Sequence, residues 1–454
     1  MKIGLIAMSG VRAANPELTA IGLTLPGFVE RSEVIASLPS LSLLTLAALT
    51  PPDIEVEYRE IRDLAAEPEA PRDYDLVAIA SYSAQILDAY RVARLYRARG
   101  VPVVMGGLHV TALPDEAREA GATAVVGEGE LTWPRVIADA RARRLAPEYR
   151  PPAGVWFDLA DAPMPRYELL DVARYNRITV QTTRGCPWRC DFCASSILLT
   201  PKYRVKPVDK VLAEIRRIKE RWASPFIEFA DDNSFVQRPR AKALLRALRD
   251  ERIHWFTECD VAIAEDPELL DLMRESGCRQ VLLGLESPVE AGLDGIETRR
   301  NWKLGRQPGY EAAIEAIQSR GITVNGCFVV GLDGHDEGIF DQIYEFVERS
   351  GLYEVQVTVM TPFPGTPLYE RLRSQGRLLE ERAWDRCTLF DVNFVPTGMS
   401  PERLQWGLVE LGRRLYDHAF IQARHERFFR GLRRRRATAR AVEEEDQADD
   451  RPLG

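Results

Sequence analysis

The chain is poor in cysteine, with seven in 454 residues, an odd number that argues against a disulfide framework. It has no excess of positive charge: the formal net charge is −8, and phosphate binding wants a basic surface, so nucleic acid is a poor partner. It lacks an apolar run long enough to span a bilayer. The nearest approach, LPSLSLLTLAAL (38–49), is short and interrupted by Ser and Thr. No secretory leader is read in MKIGLIAMSG, which has one Lys, a short apolar run and no cleavage pattern. No internal repeat is evident. These absences lead to the expectation of a cytoplasmic chain with reduced thiols and no membrane partner. What remains is ordinary for a globular protein, 45% apolar and 28% charged, and long enough for two or three cores.

Two series of short apolar runs alternate with helical patterns. The first predicts strands at 2–8, 54–58, 75–81, 101–106 and 122–127, each nearly continuous in apolar residues, as strands buried on both faces are. With helices between them, such as AQILDAYRVARLYRARG, this is a doubly wound sheet, expected in flavodoxin-like order over residues 1–140. Ligands of such sheets sit beyond the carboxyl ends of the strands. The residues there are small, hydroxyl-bearing or glycine: Ser81-Tyr82-Ser83, then Gly106-Gly107 with His109, then Gly127-Glu128-Gly129. Such loops let a bulky polar ligand approach the backbone, although any one of them alone is explained by a tight turn.

Residues 141–177 are proline-rich and read as a linker. The second series predicts strands at about 178–183, 226–230, 253–257, 279–285, 322–330 and 353–360, which makes an incomplete six-unit (β/α) barrel over 178–370. A helical region at 371–430 and a charged, disordered tail at 431–454 follow by pattern. Trp384, Asp385, Arg386 and Cys387 cap the active pocket or take buried structural positions on this reading.

Three of the seven cysteines, Cys186, Cys190 and Cys193, fall within eight positions in TTRGCPWRCDFCASS, on the loop after the first barrel strand. A structural zinc site wants four ligands, and no His or Cys lies within forty residues to complete the set. A redox pair, Cys190 and Cys193, would leave Cys186 idle. A [4Fe–4S] cube held by three thiolates, with one iron open to another ligand, accounts for all three.

The C-x3-C-x2-C spacing with Phe192 before the last Cys resembles the signature of the radical S-adenosylmethionine (SAM) superfamily. The resemblance implies that the open iron chelates SAM, whose reductive cleavage yields a 5′-deoxyadenosyl radical. By position it also implies SAM contacts at Phe192, at Glu228, Asp231 or Asp232 after the second strand, at Glu286 and Ser287 after the fourth, and at Gly326 and Gly331 around the fifth. The usual two-glycine sequence is missing after the second strand, and helix capping is the competing role for Asp232 and Ser287.

An α/β domain ahead of this barrel resembles the cobalamin-binding branch of the superfamily. The fold this implies is α/β: a Rossmann-like cobalamin-binding domain, a partial TIM-type radical SAM barrel and a C-terminal helical region. Cobalamin contacts are then expected at Ser81, Tyr82, Ser83, Gly106, Gly107, His109, Gly127, Glu128 and Gly129. No D-x-H-x-x-G motif is present; His109 is either a lower cobalt ligand or a residue steadying its loop. The implied reaction is methylation of an unactivated carbon of a small molecule or peptide through methylcobalamin. An external electron donor of flavodoxin or ferredoxin type is implied as well. Cyclisation or rearrangement, and a non-catalytic iron–sulfur or corrinoid sensor, are the alternatives.

Overall fold

In a computed structural model of the chain, residues 1–9, 13–21, 38–66, 72–198 and 202–449 are described. Strands β1 (Lys2–Met8), β2 (Glu55–Ile61), β3 (Leu76–Ala80), β4 (Val103–Gly106), β5 (Thr123–Val125) and β6 (Glu148–Tyr149) form one all-parallel sheet. Its order, β2-β1-β3-β4-β5-β6, is the expected doubly wound arrangement with one strand added. The addition comes from the proline-rich stretch read as linker, where Glu148 and Tyr149 pair with Ala124 and Val125. Two residues are too few to show a period, so pattern alone does not find such a strand.

After β7 (Ile178–Val180), a short antiparallel pair, β8 (Thr183–Arg184) and β9 (Arg204–Val205), frames the cysteine loop. Strands β10 (Phe226–Phe229), β11 (His254–Cys259), β12 (Cys278–Glu286), β13 (Thr323–Val330) and β14 (Glu354–Val359) join β7 in a second six-stranded parallel sheet, in chain order across the barrel. Alternation sorts the side chains. Val281, Leu283 and Leu285 of β12 pack outward in the main core, as do Val355, Val357 and Val359 of β14. The helices on that outer face show why they form. In Ile339–Ser350 the buried residues Ile339, Phe340, Ile343, Phe346 and Val347 make one stripe, and Gly351 ends the helix in the left-handed region (φ 67°).

The edge of β14 is covered by the C-terminal region: the amide of Val359 donates to Leu389 O (2.7 Å), and Tyr416 Oη donates to Val355 O (2.8 Å). The last helix runs His418–Asp449, so residues 431–449 are helical rather than disordered; 450–454 lie outside the described residues. Ala, Arg and Glu dominate this stretch and are strong helix formers, and Arg435 pairs with Glu315 of the barrel layer.

The two sheets are joined at Gly365 in the loop after β14. Its φ is 76°, and a Cβ there would lie 2.9 Å from both Ala112 of the first domain and Leu198 of the helix that follows Cys193. No described helix is long and apolar enough to cross a membrane.

Candidate active site

The cysteine loop leaves β7 under tight control. Asp231, beyond β10, accepts from the amides of Thr182 (2.7 Å) and Thr183 (2.9 Å), from Ser234 Oγ (2.9 Å) and from the Thr182 hydroxyl. Asp232 accepts from the Gly185 amide (2.8 Å) and the Ser195 hydroxyl, one residue group on each side of the cysteines. The far side is tied by Asp191 N to Ile296 O (2.8 Å), Thr298 N to Arg189 O (2.9 Å) and a β-bridge between Cys190 and Glu297. All three thiols are free of disulfides.

Among the described residues no three His, Cys, Asp or Glu converge as ligands of a single ion. A four-iron cube uses one thiolate per iron, so its cysteines sit apart around it rather than on one point. Burial pushes the Cys186 thiol up to about 12 and raises Cys190 and Cys193 as well. An attacking redox thiol has the opposite tuning, whereas a bound metal removes the proton itself. Asn233 Nδ2 lies 3.9 Å from Cys186 Sγ and donates to Asp260 (2.8 Å), which also accepts from Trp188 Nε1 (2.8 Å). The loop therefore fits the cluster.

Between the two sheets lies a cavity of about 480 Å3. Gly106, Gly107, Gly127 and Gly129 line it from the first sheet's carboxyl edge, and Gln181, Arg184, Ser195 and Asp232 from the barrel. Gly107 takes φ 109°, a conformation in which a side chain is strained and which lets bare backbone face the cavity. Tyr82 projects into it with 57% of its surface exposed. A flat polar macrocycle needs such a wall of uncluttered backbone, and the residues fit a corrinoid on this count. Glu128 lines the cavity too, but its carboxylate is engaged by Arg184 (2.6 Å), Arg204 (2.8 Å) and the Phe157 amide (2.8 Å). Burial alone would raise this carboxyl; Arg204, the Phe157 amide and Arg184 hold it below the usual range.

Several positions singled out in the sequence turn elsewhere. His109 is 1% exposed, with Nδ1 3.1 Å from Ser83 Oγ and Nε2 3.2 Å from Glu116. Neither His109 nor Ser83 reaches the cavity, nor does Ser81 line it, so the lower-ligand reading of His109 is corrected to an internal one. Glu116 also accepts from Trp384 Nε1 (3.0 Å), which puts Trp384 in the first domain's core instead of over the pocket. Cys387 joins the same core, while Asp385 and Arg386 are exposed on the surface turn between them.

Phe192 packs against the main core. Glu228 is spent on Arg177 (2.6 Å), and Asp231 on the loop amides, leaving Asp232 as the acid of the three that lines the cavity. Ser287 is fully buried against His335 Nε2 (3.0 Å). A Cβ on Gly326 would meet Leu352 at 2.7 Å and one on Gly331 would meet Leu404 at 2.8 Å, so both glycines answer to packing. Glu286 ends β12 with φ 63° and pairs with Lys303.

Three polar residues near the cluster loop were not found from sequence. Lys303, which holds Glu286 and donates to Gly284 O (3.1 Å), sits in an unremarkable WKLGR helix. Asn233 follows two more prominent acids. Glu258 lies on the face of β11 opposite the core residues Trp255 and Cys259, and alternation within HWFTEC is the signal that marks it. Burial and the nearby Glu228 and Asp232 push its carboxyl up to about 8.

The Radical SAM superfamily profile matches residues 180–347, that of the B12 binding domain residues 39–137, and a domain of unknown function residues 366–449. The chain is 30% identical over 404 residues to an uncharacterized methyltransferase of Synechocystis sp., covering 87% of this chain and 74% of that one. It is 27% identical over 396 residues to the bacteriochlorophyllide d C-12(1)-methyltransferase of Chlorobaculum tepidum, covering 85% and 84%. Its fold is similar to that of the radical SAM methyltransferase TsrM from Kitasatospora setae (TM-score 0.62, 16% identity, 82% and 78% covered). It is also similar to OxsB, a cobalamin-dependent SAM radical enzyme (TM-score 0.65, 14% identity, 90% and 65% covered).

Proposed function

The chain belongs to the cobalamin-dependent radical SAM methyltransferases, and on that premise we propose that it methylates an unactivated carbon of a small molecule. We assign the cluster to Cys186, Cys190 and Cys193. The corrinoid is assigned to the wall formed by Tyr82, Gly106, Gly107, Gly127 and Gly129. When bound, the cluster with SAM supplies a hydrogen-abstracting radical and the corrinoid supplies the methyl group.

The protein's own residues do the placing. Asp231 and Asp232 fix both ends of the cysteine loop, Asn233 steadies Cys186, and Glu128 clamps Arg184 next to Gly185-Cys186 so that the two cofactor walls keep their spacing. Lys303 neutralises Glu286 beside the loop, and Glu258 offers a neutral carboxyl to the barrel interior at pH 7. A soluble one-electron donor and a cytoplasmic, reducing setting belong to the same proposal.

The observation that carries it is a cavity lined at once by the first sheet's glycine edge and by the residues flanking the cysteines. The test is metal analysis of protein made with cobalamin and purified without oxygen: about four irons and one cobalt per chain are expected. Transfer of label from methyl-labelled SAM to a small-molecule extract then identifies the substrate. Iron without cobalt would sink the methyl-transfer reading and leave the barrel chemistry standing.

A further inference from the structure

The segment 294–302, DGIETRRNW, lies directly on the cysteine loop: Ile296 O, Glu297 and Thr298 N contact Asp191, Cys190 and Arg189. Its outer face is basic. Arg299 and Arg300 are exposed, Arg189 is partly exposed, and among the described residues none of the three has an ion pair. The acids of the segment offset this charge only in part, through the exposed Asp294. Glu297 is buried and accepts from the Lys303 amide (3.0 Å), and Asp294 accepts from Asn301 (2.6 Å). Beside the arginines, Trp188 of the cysteine loop stacks on Trp302 at 4.1 Å between ring centroids, and Arg306, paired with Glu265, covers Trp302.

A partly exposed aromatic pair rimmed by arginines has the anatomy of a protein interface. Its sign is opposite to the chain's net charge of −8. It is also placed one residue from Cys190, where the route from surface to cluster is short. We propose that Arg189, Arg299 and Arg300, around the Trp188–Trp302 pair, dock an acidic one-electron carrier protein. The carrier loses one electron and the cluster held by Cys186, Cys190 and Cys193 gains it; no bond forms or breaks. This inference rests on the cluster assignment above.

The test compares two reductants on the holoenzyme, wild type against an Arg299→Glu, Arg300→Glu double variant. Cluster reduction is followed by electron paramagnetic resonance and SAM cleavage by 5′-deoxyadenosine release. With dithionite, a small anion that needs no docking, the variant is expected to stay within about twofold of wild type; with reduced flavodoxin it falls about tenfold or more, as opposed surface charges predict. An Arg299→Lys, Arg300→Lys variant restores most of the flavodoxin-driven rate. Raising salt from about 0.05 to 0.3 M slows wild type with flavodoxin and leaves the charge-reversed variant nearly unmoved.

Equal flavodoxin-driven rates in wild type and charge-reversed variant overturn the docking face. So does a variant slowed as much with dithionite, which makes the segment a mere support of the cluster loop. A wild type reduced by dithionite but not by flavodoxin overturns it as well. A wild type that dithionite cannot reduce removes the cluster assignment itself, and that failure is distinct from the others.

Discussion

The two sheets of this chain use the same edge in opposite ways. Both are six-stranded and parallel, and both present their carboxyl ends to one cavity. On the first sheet the cavity wall is backbone: Gly106, Gly107, Gly127 and Gly129 withhold side chains so that a large group can lie flat. On the second it is polar side chains, Gln181, Arg184, Ser195 and Asp232, the last of which also ties the loop that carries the thiols. The contrast teaches that a strand-end site is defined as much by what its residues leave out as by what they contribute.

The largest expected effect breaks the second edge outright. Cys190→Ala is predicted to lose cluster iron and all reductive cleavage of SAM, measured as iron content and 5′-deoxyadenosine; cleavage that survives would end the distinction between the edges. Next comes a charged side chain that the first edge contributes. Glu128→Ala leaves the Arg204 guanidinium without its buried carboxylate and Arg184 with Glu130 alone, and is expected to cost about 3 kcal/mol of unfolding free energy. The native carboxyl is held below its ordinary 4.5, so its contribution is full above that value and is lost as pH falls through the lowered one. Denaturant melts from pH 7 down to the acid range should show that decline in wild type and a flatter curve in the variant.

Smaller still is the backbone edge. Gly107→Val puts a branched side chain at φ 109° on the cavity wall, a strain of about 1–3 kcal/mol, and should lower cobalamin retention tenfold or more while SAM cleavage persists. Loss of both activities together would show that the walls are not separable. The finest effect is a pH slope. Glu258 has its carboxyl raised from 4.5 to about 8, so it disfavours the folded state increasingly as pH rises between those values and no further above them. Melting midpoints from pH 6 to 9 should fall in wild type, and Glu258→Gln should flatten that fall; parallel curves would remove Glu258 from the interior's titration.

The contrast also explains what the sequence made legible. Long apolar runs such as KIGLIAM and ITVNGCFVV announce strands because they are buried on both faces, and the fold class follows from their alternation with helices. Three cysteines in eight positions announce themselves by density. Polar residues at strand ends do not, since Ser83, His109 and Ser287 look the same whether they face a ligand or, as here, each other and the core. Glu116 meets Trp384 across 268 positions, and no local pattern encodes such a partner. The strand at Glu148–Tyr149 is too short for periodicity, and the helical run to Asp449 was masked by its charge blocks.

Gly365 gives the molecule a mechanical property. With Ala112 and Leu198 filling the space where its side chain would be, three segments meet without free volume. Any side chain at this position would wedge the first domain and the helix that starts just after Cys193 away from the loop, so the closeness of the two domains here is set by a missing methyl group.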